Sequence, residues 1–328
     1  MKPIVCFGEA LIDFLNAGQQ QDGALMLNQF TQYPGGAPAN AAVAIAKLGG
    51  NARFVGQVGR DNFGDFLINS LKLYHVDTRF TLQHETAKTA LAFVFLDKNG
   101  DRSFLFHRVN SADMLLESSQ IQDCWFEGAG IFHFCSNTLT ETPIAEVTRL
   151  AIQKAKAQGA IISFDVNLRH NLWPTGYADR NVVNALLPSC GLVKFSRDEL
   201  DYLSAGDSEK YIAQLLSREV ELVLITDGAK SVHYYTANSR GCIDVPVTSV
   251  VDTTAGGDCF IGGVLFVLSQ LPSFSKTINN EQLLREILSF AIHCGAIAVS
   301  RPGAFPAMPV MAEVSAYAGF LKDIENEQ

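Results

Sequence analysis

Short apolar runs that stop abruptly at polar residues recur along this chain. Ile4–Phe7 gives way to Glu9 and Asp13, Ile131–Phe134 to Ser136 and Asn137, and Ala160–Phe164 to Asp165, Asn167 and Arg169. Leu192–Phe195 leads to Ser196 and Glu199, and Leu222–Ile225 to Thr226 and Asp227. Helical-looking stretches lie between the runs. Continuously apolar strands alternating with helices predict an α/β protein whose mostly parallel sheet is covered on both faces. Ligands of such folds bind beyond the carboxyl ends of the strands. Here the polar residues collect at those ends.

One segment breaks the alternation. Thr89–Leu96 and Ser103–Arg108 flank a polar stretch containing Asn99-Gly100, the preferred two-residue hairpin turn. With that turn, Phe95 faces Phe104, Phe93 faces Phe106 and Leu91 faces Arg108, while Ala92, Val94 and Leu105 take the other side. A ribbon with four phenylalanines on one face must cover or pair with something. The polar stretch 14–33, with Gln19-Gln20-Gln21-Asp22-Gly23, offers a second ribbon. Segments 14–33 and 88–108 are therefore expected to form a small β-strand lid, inserted in one domain spanning residues 1–328.

The chemistry is placed in Val250 to Leu265. Its first half reads as a strand end and a turn, and Cys259 to Leu268 is apolar with no charge on any face, as a buried helix requires. Ala255, Gly256 and Gly257 then stand at a helix N-terminus, where N–H groups lack intrahelical partners and small residues let an anion approach. Asp258 points into the same place. A carboxylate there either caps the helix or takes a proton from an attacking hydroxyl.

Composition narrows the classes. With 328 residues, 48% hydrophobic and 18% charged, the chain is an ordinary globular protein. A net charge of -9 argues against binding polyanions over the whole surface, though not against a local phosphate pocket. The 7 cysteines show no CxxC pair and read as buried thiols of a reducing compartment. Glu9 and Asp13 interrupt the N-terminal apolar run, and nothing approaches twenty apolar residues in a row, so a cytoplasmic location without a membrane span is expected. No histidine has metal-ligand spacing, and there is neither a Gly-Lys pair for a Walker loop nor a G-x-G-x-x-G fingerprint.

Two motifs in order carry a family resemblance. Asp252-Thr253-Thr254-Ala255-Gly256-Gly257-Asp258 resembles the second signature, D-T-T-G-A-G-D, of the ribokinase-like (PfkB) carbohydrate kinases, with Ala255 and Gly256 swapped relative to the usual order. Gly35-Gly36-Ala37-Pro38-Ala39-Asn40, leading an alanine-rich helix, resembles the first. Phe106 to Leu115, Asp165 to Arg169 with Leu172-Trp173-Pro174, Val193 to Glu199 and Gly303 to Pro309 are most similar to fructokinases within the family. Val109-Asn110 stands where Asn-Pro is usual, Val166 where Pro is usual, and Ser196 at the first place of the N-x-x-E motif.

The resemblance implies a three-layer αβα ribokinase-like fold and a kinase using ATP and Mg²⁺, with potassium as a further ion. It implies that Asp258 is the base and that the N–H groups of Ala255, Gly256, Gly257 and Asp258 hold the γ-phosphate. Asp258 is expected to stay ionised with a low pKa beside the helix terminus. Asp13, Gly35, Gly36, Asn40, Arg108 and Arg169 are implied on the sugar, and Ser196, Thr226, Gly228 and Gly257 on ATP. Glu199 is implied on magnesium through water, and Asp252 and Thr254 on a monovalent cation. His293 is read as a packed core histidine near the adenine side. Partners are then a small sugar and ATP, with no nucleic acid or membrane, in a homodimer joined through the lids. D-fructose, giving fructose 6-phosphate, is the expected substrate. A 2-keto-3-deoxygluconate kinase, another sugar or nucleoside kinase, and a catalytically silent sugar-binding subunit are the competing readings. Asp113 favours fructose over a sugar acid if it neutralises Arg108.

Overall fold

The computed structural model describes residues 1–96 and 102–321, so the Asn99-Gly100 turn lies outside the described residues. In chain order the strands are β1 (Ile4–Phe7), β2 (Leu11–Asp22), β3 (Leu25–Gly35), β4 (Ala52–Gly59), β5 (Thr81–His84), β6 (Leu91–Leu96) and β7 (Arg102–His107). They continue as β8 (Ile131–Cys135), β9 (Ile161–Asp165), β10 (Leu192–Ser196), β11 (Leu222–Thr226), β12 (Val232–Tyr235) and β13 (Arg240–Ile243). The helices are α1 (Ala37–Lys47), α2 (Asn62–Leu73), α3 (Thr142–Ala157), α4 (Arg180–Leu186) and α5 (Arg197–Ser204). After them come α6 (Ser208–Leu216), α7 (Gly256–Leu268), α8 (Phe274–Asn279), α9 (Glu281–Val299) and α10 (Met311–Val314).

The main sheet has the order β13-β12-β11-β10-β9-β8-β1-β4-β5, parallel from β11 to β5 and antiparallel at the β12–β13 edge. The chain runs outward from β1 in both directions, which opens a crevice at the carboxyl ends of β1, β8 and β9. Alternation along β1 shows how the layers form. Ile4 and Cys6 join a core with Leu67 of α2, Val264 of α7 and Leu288 of α9, while Val5 and Phe7 join the opposite core with Ile144 of α3 and Leu200 of α5. Both faces are thus dry, and Ile4, Val5, Cys6 and Phe7 are each 0% exposed.

Helix α7 runs through the first core, apolar on every side. A Cβ on Gly262 would stand 2.7 Å from Ala44 Cβ of α1, and one on Gly263 would stand 3.3 Å from Ala291 Cβ of α9. Small residues on α1 and glycines on α7 let these helices touch closely, which sets where the first turn of α7 points. Helix α9, at 19 residues and mean hydropathy 1.3, is long and apolar enough to span a membrane. Its Leu284, Ile287, Leu288, Phe290 and Ala291 are instead buried in this core, and Arg285 and Glu286 interrupt it.

Strands β3-β2-β6-β7 form a second sheet, the lid. Its register corrects the hairpin expected from Asn99-Gly100. Leu96 pairs with Arg102, Phe93 with Leu105 and Val94 with Phe104, one residue out of step with that turn. A one-residue shift moves side chains to the opposite face. Phe104 and Phe106, stacked at 5.9 Å, therefore lie with Ala92 and Val94 on the face toward the crevice. Phe93 and Phe95 lie on the other face, where Phe14 stacks on Phe93 at 5.1 Å and Phe30 meets both edge-on.

Candidate active site

The chain enters α7 through a tied loop. Buried Asp252 accepts hydrogen bonds from the N–H groups of Thr254 at 2.8 Å and Gly303 at 3.0 Å, and its own N–H donates to the Val299 carbonyl at 3.1 Å. Ala255 is the N-cap residue, and its carbonyl accepts from Cys259 N–H at 2.9 Å. The N–H groups of Gly257 and Asp258 come before that bond, at the positive end of the helix. A Cβ on Gly256 would lie 2.5 Å from Val299 Cγ1, so bare backbone is required there.

Asp258 is 6% exposed, and both of its oxygens are held. Asn40 Nδ2 donates to Oδ2 at 2.7 Å, and Asn167 Nδ2 donates to Oδ1 at 3.2 Å. Burial, helped by the Asp165 carboxylate, pushes Asp258 up to about 7, against the Asn40 hydrogen bond and the charges of Lys194 and Arg169. This corrects the expected low pKa. A helix end contributes about half a charge, whereas burial removes the hydration of a whole one.

Asn167 has φ 39, a left-handed turn that asparagine tolerates, and it ends the extended run of β9. Asp165 faces Lys194, whose Nζ donates to both carboxylate oxygens at 2.8 and 2.9 Å. Arg169 donates to the Leu168 carbonyl at 3.0 Å and lines the pocket in front of Asp258.

That pocket also receives Asp13, Gly36, Asn40 and Arg108, under a wall of Phe104 and Phe106 from the lid. Burial, then the Asp252 and Asp258 charges, push Asp13 up to about 7, with Arg169 acting the other way. Gly35 is required by Asp13 itself, because a Cβ there would lie 2.1 Å from Asp13 Oδ2. Gly36 has φ 103 and precedes the first residue of α1. Arg108 is buried and donates to Asp113 Oδ2 at 2.7 Å, so Asp113 does lie against it. Thr254 lines this same pocket.

A second cavity, of about 460 Å³, opens on the other side of the turn, lined by Thr226, Gly228, Val245, Phe260, Ile292 and Val299 among others. Gly256 and Gly257 line it too. A polar pocket and an apolar one thus meet across the turn 253–258. That is the layout of a transfer reaction between two substrates.

The sequence profile of the "pfkB family carbohydrate kinase" matches residues 1–311. The chain belongs to the pfkB family of carbohydrate kinases. Probable fructokinase-7 of Arabidopsis thaliana is 39% identical over 318 residues, covering 95% of this chain and 91% of that one. The crystal structure of fructokinase with bound ATP from Xylella fastidiosa superposes with a TM-score of 0.90 at 42% identity, covering 98% and 99% of the two chains. A double-mutant fructokinase from Vibrio cholerae O395, in its fructose, ADP and potassium ion bound form, gives a TM-score of 0.85 at 33% identity, covering 97% and 98%. The protein is a pfkB sugar kinase, a phosphotransferase acting on an alcohol, with the ribokinase-like αβα fold.

The surroundings of Glu199, Ser196, His293 and Asn40 refine their sequence reading. Glu199 is half-buried at the N-terminus of α5. Its oxygens accept from the Ser196 and Leu168 N–H groups, each at 2.7 Å. The Ser196 hydroxyl accepts from Glu199 N–H at 3.2 Å, capping α5, and Ser196 does not line the apolar cavity; Thr226 and Gly228 do. His293 bonds the Ser289 carbonyl at 2.7 Å and stacks on Tyr317, as a packing histidine. Asn40 orients Asp258 with its amide nitrogen, and its Oδ1 has no partner among the described residues. Glu9, Asn137, Asn167 and Lys194 were not assigned site roles from sequence. A lysine inside the apolar run Leu192–Phe195 was the available signal for Lys194, since buried lysines need a partner.

Proposed function

We propose that this pfkB kinase transfers the γ-phosphoryl group of MgATP to the 6-hydroxyl of D-fructose. The observation that carries the reading is the junction at Asp258. The carboxylate faces the polar pocket from the first turn of α7, while Gly256 and Gly257 of that turn face the apolar cavity. In the transfer, the hydroxyl oxygen forms a bond to the γ-phosphorus, the bond to the bridging oxygen of ADP breaks, and Asp258 takes the hydroxyl proton. The N–H groups at the helix end hold the transferring oxygens where charge develops. Adenine fits the cavity walled by Val245, Phe260, Ile292 and Val299. Asp13 and Asn40 Oδ1 accept from sugar hydroxyls, and Arg108 and Arg169 donate to sugar or phosphate oxygens.

Magnesium would neutralise phosphate charge, with Glu199 ordering its water. Potassium would be held at Asp252 and Thr254 and would order the loop that Asp252 ties. Relatives named as fructokinases over nearly the full length support the sugar, as does Asp113 against Arg108, which leaves little positive charge for a sugar acid. The intact Gly256, Gly257 and Asp258 oppose a silent subunit. Incubation with MgATP and D-fructose, followed by ¹³C and ³¹P spectra, should show phosphorus coupled to C6. Coupling to C1 would overturn the choice of hydroxyl.

The outer arm of the lid exposes Leu25, Met26 and Leu27, and Leu105 is exposed on β7. We read this apolar arm as the contact between two protomers, in a homodimer of a cytoplasmic enzyme. Sedimentation at micromolar concentration should give twice the chain mass. A fully active monomer would remove the dimer.

A further inference from the structure

We infer that Glu9, Arg108 and Asn137 read one sugar hydroxyl other than the one phosphorylated, and that this slot rejects acidic sugars. The inference rests on the sugar-kinase reading above and adds two residues to it. Glu9 is 1% exposed, and its Oε1 accepts from Ala37 N–H at 3.2 Å and from Asn137 Nδ2 at 2.9 Å. Its Oε2 is buried with no hydrogen-bond partner among the described residues. Arg108, 5% exposed, donates through Nε to Asp113 at 2.7 Å and through Nη1 to the Asn137 carbonyl at 2.9 Å, while Nη2 is buried without a partner among them. The two unmet atoms lie 4.0 Å apart. That is too far for a hydrogen bond, and it is the separation of two groups bonded to one oxygen between them. Asn137 Oδ1 is a third unmet buried acceptor. Glu9, Arg108 and Asn137 line the pocket that holds Asp258.

Buried polar atoms are costly to leave unmet, charged ones most of all, so this arrangement is made for a ligand. The ligand oxygen must accept from Nη2 and donate to Oε2. A hydroxyl does both. A carboxylate, an ether oxygen or a ketone has no hydrogen for Glu9. Charge points the same way, because Glu9 and Asp113 outnumber the single Arg108 between them. A sugar carboxylate placed here meets a net negative site and an acceptor it cannot satisfy.

The test is binding of D-fructose and its singly deoxygenated analogues, by calorimetry, to wild type and Glu9→Gln. Glutamine keeps an oxygen for Ala37 and Asn137 and replaces Oε2 by a group that cannot accept. One analogue, other than that lacking the 6-hydroxyl, should bind wild type at least about tenfold more weakly than fructose, and this loss should shrink below about threefold in Glu9→Gln. The deoxyfluoro analogue at that position, which accepts from Arg108 but cannot donate to Glu9, should bind wild type as weakly as the deoxy one. The kcat/KM preference for fructose over 2-keto-3-deoxygluconate should fall at least about tenfold in Glu9→Gln. If no such position exists, or the loss is equal in both proteins, the slot is wrong. The fluoro comparison needs no variant, and full affinity of the fluoro sugar would also overturn the slot. If wild type prefers another sugar, the fructose reading fails by itself, and the deoxy series of that sugar tests the slot.

Discussion

At the scale of residues, the chemistry turns on how a buried carboxylate is charged. Asp258 has an ordinary value of 3.8 and is pushed up to about 7 by burial. A base must be ionised to accept a proton, so kcat/KM should fall as pH drops through about 7, an acid limb that Asp258→Asn removes along with a ~10²–10⁴-fold loss of turnover. Stability moves in the opposite sense. The folded value lies above the unfolded one, so the ionised form is disfavoured by folding. That penalty is complete above pH 7 and fades as pH falls toward 3.8. Asp258→Asn should therefore melt higher than wild type at pH 8, with the difference shrinking by pH 5. A constant difference across that range would mean that the carboxylate is not under strain. Lys194 and Asp165 complete the electrostatics beneath the turn. A Cβ on Gly257 would lie 3.3 Å from Lys194 Nζ, which places the ammonium close under the backbone of the first turn of α7. Breaking one half of a buried pair strands the other charge, so Lys194→Met should destabilise the fold by about 3–5 kcal/mol, measurable as a loss of denaturant midpoint.

At the scale of elements, packing explains why this chain reverses the small residues of its signature. Val299 Cγ1 of α9 fills the space that an alanine methyl at position 256 would need, at 2.5 Å. Gly256→Ala alone should cost about 1–3 kcal/mol. Together with Val299→Ala it should cost clearly less than the two changes summed, because they share one space. Simple addition of the two losses would show that the methyl is accommodated elsewhere. The loop before α7 gives a second prediction. Replacing K⁺ by tetramethylammonium at constant ionic strength should lower turnover, and equal rates would exclude an ion acting on the Asp252 loop. Much of this was legible in the sequence, because fully apolar strands ending in polar residues mark both the sheet and the end of it that binds ligands. The lid register was not. Asn99-Gly100 is a strong two-residue turn signal, yet pairing of Leu96 with Arg102 leaves residues 97–101 between them, and a one-residue change exchanges the faces. Nor was the pairing of Asp165 legible, because its partner Lys194 lies on the neighbouring strand.

At the scale of the whole molecule, the sheet and three close-packed helices position one turn, and Phe104 and Phe106 of the lid wall the polar pocket beside it. A lid that shuts on the sugar would exclude water from the phosphoryl group, so ATP hydrolysis without sugar should be far slower than transfer. The sugar is the central claim. Its most direct test is kcat/KM for D-fructose, 2-keto-3-deoxygluconate, D-ribose and D-tagatose under identical MgATP. D-fructose should lead by at least about tenfold, the ratio that ~1.4 kcal/mol of differential transition-state binding provides. A sugar acid or ribose in first place would contradict the fructose assignment while leaving the kinase intact.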